Sequence, residues 1–325
     1  MRIDVTFPSA GLKLAGHLYT PEGETTGGRP AIVVGHPGSG VKEQASGLYA
    51  RRLAERGFVT LAFDAAYQGE SEGEPRGLED PGHRVEDLKA AVSFLATRQE
   101  VDPDRIGALG ICASGGYALT AAATDHRVKA VGTVSAVDIA RQFRAGADGT
   151  QDAAVIQGML EAAAAARTAE ARGEGVQSFR LFPDTEEEAR RGGPHVYEGW
   201  EYYCTPRGRH PRSAKSLTWT SVDHIATFDA FSALALLAPR PLLLIVGREA
   251  VTSWMSVEAF QKAPGPKELL WIDGAMHTDL YDKDAYVTPA VEKLAGFFRA
   301  HLADADETGA ADVLGVRTAD PHEMG

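Results

Sequence analysis

The chain has 325 residues, with 33 Lys or Arg against 45 Asp or Glu, so its formal net charge at pH 7 is −12. An acidic surface of this kind is repelled by phosphate backbones and anionic lipids, and we expect neither nucleic acid nor membrane partners. No stretch approaches the roughly 18 uninterrupted apolar residues of a spanning helix, and the N-terminal residues lack the order of a secretion signal. The composition therefore predicts a cytoplasmic globular protein.

The chain has two cysteines, Cys112 and Cys204. They allow one disulfide at most and lack the spacing of metal ligands, so neither a disulfide scaffold nor a zinc site is expected. We predict no metal and no cofactor. Each thiol therefore needs an explanation of its own.

Strand and helix patterns alternate through the first half of the chain. A hairpin of two strands comes first, and short apolar runs rich in β-branched residues then alternate with helical periodicity. The predicted strands are 2–8, 11–20, 31–36, 59–64, 105–111 and 128–136, and the predicted helices are 42–57, 84–99 and 114–124. Such alternation is typical of a mostly parallel sheet with helices on both faces, whose ligand sites lie at the carboxyl ends of the strands.

The alternation fails between about 139 and 232, where an alanine-rich helix (151–172) precedes a polar, aromatic stretch. We interpret 139–232 as an inserted helical lid, and residues 1–138 with 233–302 as one catalytic core. The core pattern resumes with strands at 241–247 and 267–274 and helices at 254–262 and 285–302. The tail at 303–325 has few large apolar residues, and we predict that it is disordered.

The segment RIGALGICASGG runs from a strand through small residues into a helix, as a nucleophile elbow does. In that frame Cys112 is the nucleophile, and Gly110 and Ser114 are the small residues that let strand and helix converge. The helix N-terminus would then stabilise the thiolate. In a competing frame Ser114 is the nucleophile, and the alternative without function is a buried, inert thiol at Cys112.

His277 follows the last predicted strand, and a histidine that comes last in chain order after the nucleophile is typical of a hydrolase base. The loop after PLLLIVG, where an acid would orient this imidazole, reads GREAVTSW without an aspartate. Glu249 is our first candidate for the acid and Asp138 is the alternative. Each carboxylate could instead be a solvated loop residue.

An oxyanion hole needs two backbone N–H groups, one after the nucleophile and one from the loop after an earlier strand. Ala113 and Gly38, the latter in HPGSG (36–40), are the candidates. Glycines followed by Lys42 also suggest a phosphate site, but the spacing of a phosphate-binding loop is missing.

Four residues of the lid, Trp200, Tyr202, Tyr203 and Arg207, combine aromatic rings with a guanidinium group. They are candidates for lining an acyl pocket and holding an anionic group of the substrate. Ordinary packing of the lid on the core explains them equally well. We interpret Cys204 as a structural thiol.

These segments resemble the α/β-hydrolase superfamily, and the cysteine elbow resembles that of the dienelactone hydrolases. Three motifs, GICASGGYA, YYCTPRGRHPRS and GAMHTDLYD, are together similar to a bacterial dienelactone-hydrolase-like group akin to the polyketide transferases of fungi. The likeness spans about residues 1–302. It implies an α/β-hydrolase fold, Cys112 as nucleophile, His277 as base and the HPGSG loop in the oxyanion hole; the missing aspartate departs from the family pattern.

The function expected from these residues is hydrolysis of a small ester, lactone or thioester through an acyl-thioester on Cys112. Acyl transfer or cyclisation by the same acyl-enzyme is the first alternative. A catalytically silent binding protein, suggested by the missing aspartate, is the second. The partner is thus a small acyl molecule, and the oligomeric state stays open, with a homodimer as one alternative.

Overall fold

The structure, a computed structural model, describes residues 1–23 and 28–303. Apart from Ala303, the tail predicted to be disordered (303–325) lies outside the described residues.

Eight strands form the main sheet, in the order β1-β2-β4-β3-β5-β6-β9-β10. Their bounds are β1 Arg2–Ser9, β2 Leu12–Tyr19, β3 Arg29–Gly35, β4 Val59–Phe63, β5 Val101–Ile111, β6 Val128–Val134, β9 Leu242–Gly247 and β10 Lys267–Ile272. The strand β2 is antiparallel to both of its neighbours, β1 and β4, whereas the pairs from β4 to β10 are parallel. The carboxyl ends of the six parallel strands therefore meet at one edge, with β5 near the middle.

The helices cover both faces of this sheet. They are α1 Ala45–Ala54, α2 Pro81–Ala96, α3 Ala113–Thr124, α4 Ile139–Ala145, α5 Ala153–Ala171, α6 Glu186–Arg191, α7 Pro194–Cys204, α8 Ser221–Ala226, α9 Ser253–Lys262, α10 Asp279–Asp282 and α11 Asp284–His301, with a 3-10 turn at Leu234–Leu237. Within the part of the chain that the structure describes, none of these helices is both long and apolar enough to cross a bilayer.

Two hydrophobic clusters fill the space between the sheet and its helices. Alternate residues of each strand point to opposite faces, so Val33 joins the cluster under α2, α3 and α9, whereas Ile32 and Val34 join the cluster under α1 and α11. The predicted α/β-hydrolase fold is therefore confirmed, with a mostly parallel sheet between two helical layers.

Most predicted boundaries agree with the structure to within a few residues, and α2 shows why some do not. This helix begins at Pro81, three residues before the predicted start, because the Asp80 side chain accepts hydrogen bonds from the Gly82 and His83 amides and caps it. Apolar periodicity becomes visible only inside the helix, so it misses a polar first turn.

The segment between β6 and β9 contains the helices α4 to α8 and a small antiparallel pair, β7 (Ser178–Arg180) with β8 (Ser216–Thr218). The alanine-rich helix predicted at 151–172 forms α5. The aromatic stretch after it, in which we predicted no helix, forms α7. We use the name inserted segment for residues 139–232.

We expect Gly107→Ala to lower the free energy of unfolding by about 1–3 kcal/mol. A Cβ at Gly107 in β5 would lie 2.7 Å from the Phe298 ring of α11, so the last helix packs directly on this glycine. Urea unfolding measures the loss. The control is Gly158→Ala in α5, where an added Cβ meets nothing within 4 Å and helix propensity should raise stability by up to about 1 kcal/mol; equal effects of the two substitutions would contradict this packing argument.

Candidate active site

Cys112 is the single residue between the end of β5 and the start of α3, and its φ is 55° with ψ −120°. A positive φ is strained for a residue with a side chain, and such strain is typical of functional turns. A Cβ at Gly110 would lie 2.0 Å from the Ser114 carbonyl oxygen, so the turn closes only with glycine there. The convergence predicted from the small residues of the elbow is therefore present.

The Cys112 sulfur has three hydrogen-bond partners, namely the backbone N–H groups of Ala113 and Gly38 and the Tyr281 hydroxyl. Burial raises the pKa of the thiol above its ordinary value, although all three of these contacts act to lower it. The sequence predicted that a helix N-terminus would stabilise the thiolate. The N–H contacts act in that direction, but burial outweighs them.

Ser114, the rival nucleophile, is buried beneath the elbow. Its hydroxyl donates to the His36 carbonyl oxygen at 2.5 Å, and the Arg84 guanidinium donates both to that carbonyl, at 2.7 Å, and to the Ser114 oxygen, at 2.9 Å. The hydroxyl hydrogen is thus committed to a backbone carbonyl. This geometry favours a structural role for Ser114, which ties the loop of Gly38 to the first turn of α3.

Lys42 is also buried, and its ammonium group lies 2.8 Å from Asp64, 2.6 Å from Glu70 and 3.0 Å from Glu43. Three carboxylates already neutralise this cation. The structure therefore offers no support for the phosphate-binding alternative at the HPGSG loop.

His277 lies in the loop between β10 and α10, and 2% of it is exposed. Its Nε2 lies 2.9 Å from the Tyr281 hydroxyl, and its Nδ1 lies 2.6 Å from the Thr252 hydroxyl. Burial is the main cause that lowers the pKa of His277 to about 4; the neighbouring His195 acts in the same direction and Glu198 in the opposite one. The imidazole is therefore neutral at pH 7 and able to accept a proton.

The Tyr281 hydroxyl joins Cys112 to His277, and within residues 1–23 and 28–303 no hydrogen bond links those two side chains directly. With Nδ1 of His277 protonated, its Nε2 accepts from the phenol and the phenol oxygen accepts from the thiol. The result is a continuous path for a proton from sulfur to imidazole.

Neither candidate for the orienting acid reaches His277. Glu249 is exposed on its loop, where its backbone N–H donates to the Ala275 carbonyl. The Asp138 carboxylate caps α4 and lies 3.3 Å from the Arg141 guanidinium. Both choices need correction, because the group that contacts Nδ1 is the neutral hydroxyl of Thr252, three residues after Glu249.

A second histidine, His195 from α7, lies next to His277. The two rings are perpendicular, with centroids 5.3 Å apart. Nδ1 of His195 lies 2.9 Å from one carboxylate oxygen of Glu198, whose other oxygen accepts from the Thr278 amide at 2.8 Å. Burial alone would raise the pKa of Glu198, but the hydrogen bond with His195 and the charge of His277 hold it below its ordinary value. The site therefore contains a carboxylate, although it is paired with the other histidine.

The predicted pocket aromatics divide into two groups. Tyr203 lies beside the sulfur, and its hydroxyl contacts that of Tyr281. Burial raises the pKa of the Tyr203 phenol, and the charge of the Cys112 thiolate raises it further. Tyr202 packs edge-on against Tyr281 at a centroid distance of 5.1 Å. Trp200 stacks with Tyr197 at a centroid distance of 6.3 Å and belongs to that aromatic pair rather than to the surroundings of the thiol.

Arg207 is fully engaged by protein groups. Its guanidinium pairs with Asp282 and Glu201, each at 2.7 Å, and donates to the Thr278 carbonyl at 2.9 Å. We therefore correct the expectation that Arg207 holds an anionic substrate: it fastens α7 to the loop of His277. Cys204 at the end of α7 is half-buried and packs beside the core.

The sequence reasoning missed Tyr281, Thr252 and the pair of His195 and Glu198. Two signals were present in the sequence. Tyr281 follows His277 by four residues, and Glu198 follows His195 by three, and both are spacings at which side chains of a helix meet. Among residues 1–23 and 28–303, no group of three or more His, Cys, Asp or Glu is arranged to hold a metal ion.

In a Cys204→Ser background, we expect alkylation of Cys112 by iodoacetamide to have a pH midpoint above the value of about 8.5 of a free cysteine. Burial raises the pKa of this thiol, and Tyr281→Phe should raise it further because one hydrogen bond to the thiolate is lost. The alkylation rate is followed by mass spectrometry at a series of pH values, which gives the midpoint for the protein with Tyr281 and for the Tyr281→Phe variant. A midpoint below about 7.5, the range of activated cysteines, would show that burial does not control the thiol.

The chain is similar to known proteins of one family. Residues 14–137 match the profile of the Dienelactone hydrolase family. The uncharacterized protein YcjY of Escherichia coli (strain K12) is 42% identical over 285 residues, covering 87% of this chain and 92% of YcjY. The crystal structure of the hypothetical protein PA2218 from Pseudomonas aeruginosa has a TM-score of 0.87 at 38% identity and covers 93% of this chain and 94% of that chain.

Relatives with named activities occur in fungi. The thiohydrolase aneE of Aspergillus aculeatus is 31% identical over 279 residues, covering 83% of this chain and 84% of aneE. More distant relatives are named as an acyltransferase and as a polyketide transferase. The profile match and these full-length likenesses show that the chain belongs to the dienelactone hydrolase family, with the α/β-hydrolase fold.

Proposed function

We propose that this protein hydrolyses a small ester, lactone or thioester through a covalent acyl-thioester on Cys112. The observation that carries the proposal is the hydrogen-bonded path from the Cys112 sulfur through the Tyr281 hydroxyl to Nε2 of His277, built on a strained turn. A nucleophile in contact with a path to a neutral base is the arrangement that covalent catalysis requires.

In the first half of the reaction the thiol proton passes to the Tyr281 oxygen while the phenol proton passes to His277. The thiolate adds to the substrate carbonyl carbon. The bond from that carbon to the leaving oxygen or sulfur then breaks, and the leaving group takes the proton from His277. Cys112 is left as a thioester, which an acceptor molecule cleaves to regenerate the thiol.

The amides of Ala113 and Gly38, which contact the sulfur in the resting site, are also the donors available to an oxyanion. Rotation about the Cα–Cβ bond of Cys112 would release both amides as the sulfur moves toward the carbonyl carbon. A Cβ at Gly38 would meet only Ala113, at 3.8 Å, so the two donors are neighbours with room for an oxygen beside them.

Acyl transfer to an alcohol or amine is the second candidate. It is favoured by the aromatic side chains beside the sulfur, since the buried Tyr203 of α7 and Tyr281 of α10 limit the exposure of the thiol to water. Measuring the products with and without an added alcohol separates the two candidates, and release of free acid alone under every condition would remove the transferase.

We expect Cys112→Ala to abolish turnover of p-nitrophenyl acetate, and mass spectrometry of the quenched protein to find an acetyl group on Cys112 of the unchanged chain. Removing the nucleophile of such an enzyme leaves only the small rate enhancement of the remaining site. Cys204→Ser is the matched control and should retain turnover. Unchanged turnover in Cys112→Ala would remove the proposed function and leave the binding-protein alternative.

We expect Tyr281→Phe to slow acylation by about 100-fold or more, because the phenol oxygen carries the proton between sulfur and imidazole. Stopped-flow release of p-nitrophenol in the first turnover measures this rate. Tyr202→Phe, which keeps the neighbouring ring packing, is the matched control and should acylate at close to the original rate. Fast acylation in Tyr281→Phe would mean that His277 turns to contact Cys112 directly.

A further inference from the structure

The inserted segment brings His195, paired with the Glu198 carboxylate, next to His277, with the two rings perpendicular and their centroids 5.3 Å apart. The mechanism above uses neither residue. The inference that follows rests on the proposed function, because it concerns how the acyl group leaves Cys112.

Glu198 is held rigidly. Its side chain is 4% exposed, its two carboxylate oxygens are occupied by His195 and by the Thr278 amide, and its backbone carbonyl accepts from the Thr278 hydroxyl at 3.3 Å. Because the carboxylate accepts at Nδ1, it fixes the tautomer of His195 that has its proton on Nδ1 and a lone pair on Nε2.

That lone pair has a neutral hydrogen-bond partner, and the His195 side chain is partly exposed. Nε2 of His195 lies 3.2 Å from the amide nitrogen of Gln142 in α4, so it accepts a hydrogen bond from a neutral donor that an acceptor hydroxyl can replace. The His195 side chain is 24% exposed, whereas His277 is 2% exposed. Of the two histidines, His195 is therefore the one that meets molecules arriving from solvent.

The two histidines also differ in their partners. The ring nitrogens of His277 contact Thr252 and the phenol that leads to sulfur, so His277 serves the thiol. Those of His195 contact the Glu198 carboxylate and the Gln142 amide, and a carboxylate at Nδ1 is the partner that orients the base of a catalytic triad. The arrangement divides two proton transfers between two bases.

We propose that His195, oriented by Glu198, is the base that activates the water or alcohol that resolves the acyl-thioester. Its Nε2 takes the proton of the acceptor hydroxyl as the oxygen adds to the thioester carbonyl carbon. The carbon–sulfur bond then breaks with its electron pair on sulfur. The thiolate takes up one proton from water and the protonated His195 releases one to water, so both groups return to their resting state as the acid or ester leaves.

The test is a pre-steady-state comparison of His195→Ala with the unchanged chain, using p-nitrophenyl acetate. The first-turnover burst measures acylation, and the later linear phase measures deacylation. We expect a burst of close to the original rate and amplitude, a linear phase slower by about 100-fold or more in His195→Ala, and acetyl-Cys112 accumulating in the mass spectrum.

Imidazole added to His195→Ala should restore part of the linear phase, because the missing ring leaves a half-exposed space beside His277. A merely structural role for His195 would not respond to imidazole. The matched control is His224→Asn. His224 is another histidine of the inserted segment, and its ring lies 3.5 Å from a carboxylate, that of Asp80, rather than beside His277. This variant should keep both phases.

Decay of acetyl-Cys112 at the original rate in His195→Ala would overturn the inference, as would an equal slowing of burst and linear phase without rescue by imidazole. In both cases an acyl-enzyme on Cys112 still forms, so the proposed function stands. If the unchanged chain forms no acyl-enzyme and Cys112→Ala keeps its turnover, the proposed function and the inference fail together.

Discussion

Cys112 connects β5 to α3 in one residue with φ of 55°, and the rest of the site is arranged around that turn. The turn closes because Gly110 carries no Cβ against the Ser114 carbonyl, and Ser114 in turn holds the loop of Gly38 through the His36 carbonyl. Strain at the turn is thus opposed by packing and by buried hydrogen bonds. As a result the sulfur and two backbone N–H groups occupy fixed positions at the carboxyl edge of the sheet.

Burial also leaves the thiol, the phenols beside it and His277 without charge at rest. It raises the pKa of the thiol and of the Tyr203 and Tyr281 phenols, and it lowers the pKa of His277 to about 4, so none of these groups carries a charge at pH 7. Charge then develops only when a proton moves along the path during reaction. In a largely buried site, fixed N–H dipoles and a nearby carboxylate stabilise such charge more strongly than they would in solvent.

The sequence allowed the fold and the elbow to be predicted, because period-2 and helical patterns and a short run of small residues are local signals. The placement of His277 after the last strand was accessible for the same reason. The group that orients His277 could not be predicted in this way. A carboxylate was expected on the loop after β9, but the group from that loop that contacts the ring is the hydroxyl of Thr252. His195 and Glu198 come from a segment whose contact with the sheet edge depends on tertiary packing, which no single sequence pattern encodes.

The hydrogen bonds that join the inserted segment to the loop after β10 limit how this segment can vary among relatives. Glu198 accepts a hydrogen bond from the Thr278 amide, and Arg207 donates one to the Thr278 carbonyl. The inserted segment and the loop that carries the buried imidazole are therefore held in one fixed arrangement. If the inserted segment were exchanged for that of a relative to change which substrates bind, the position of the imidazole relative to the sulfur would therefore change as well. Selectivity and rate are coupled through these two hydrogen bonds, and recombinants would need compatible partners on both sides of the junction.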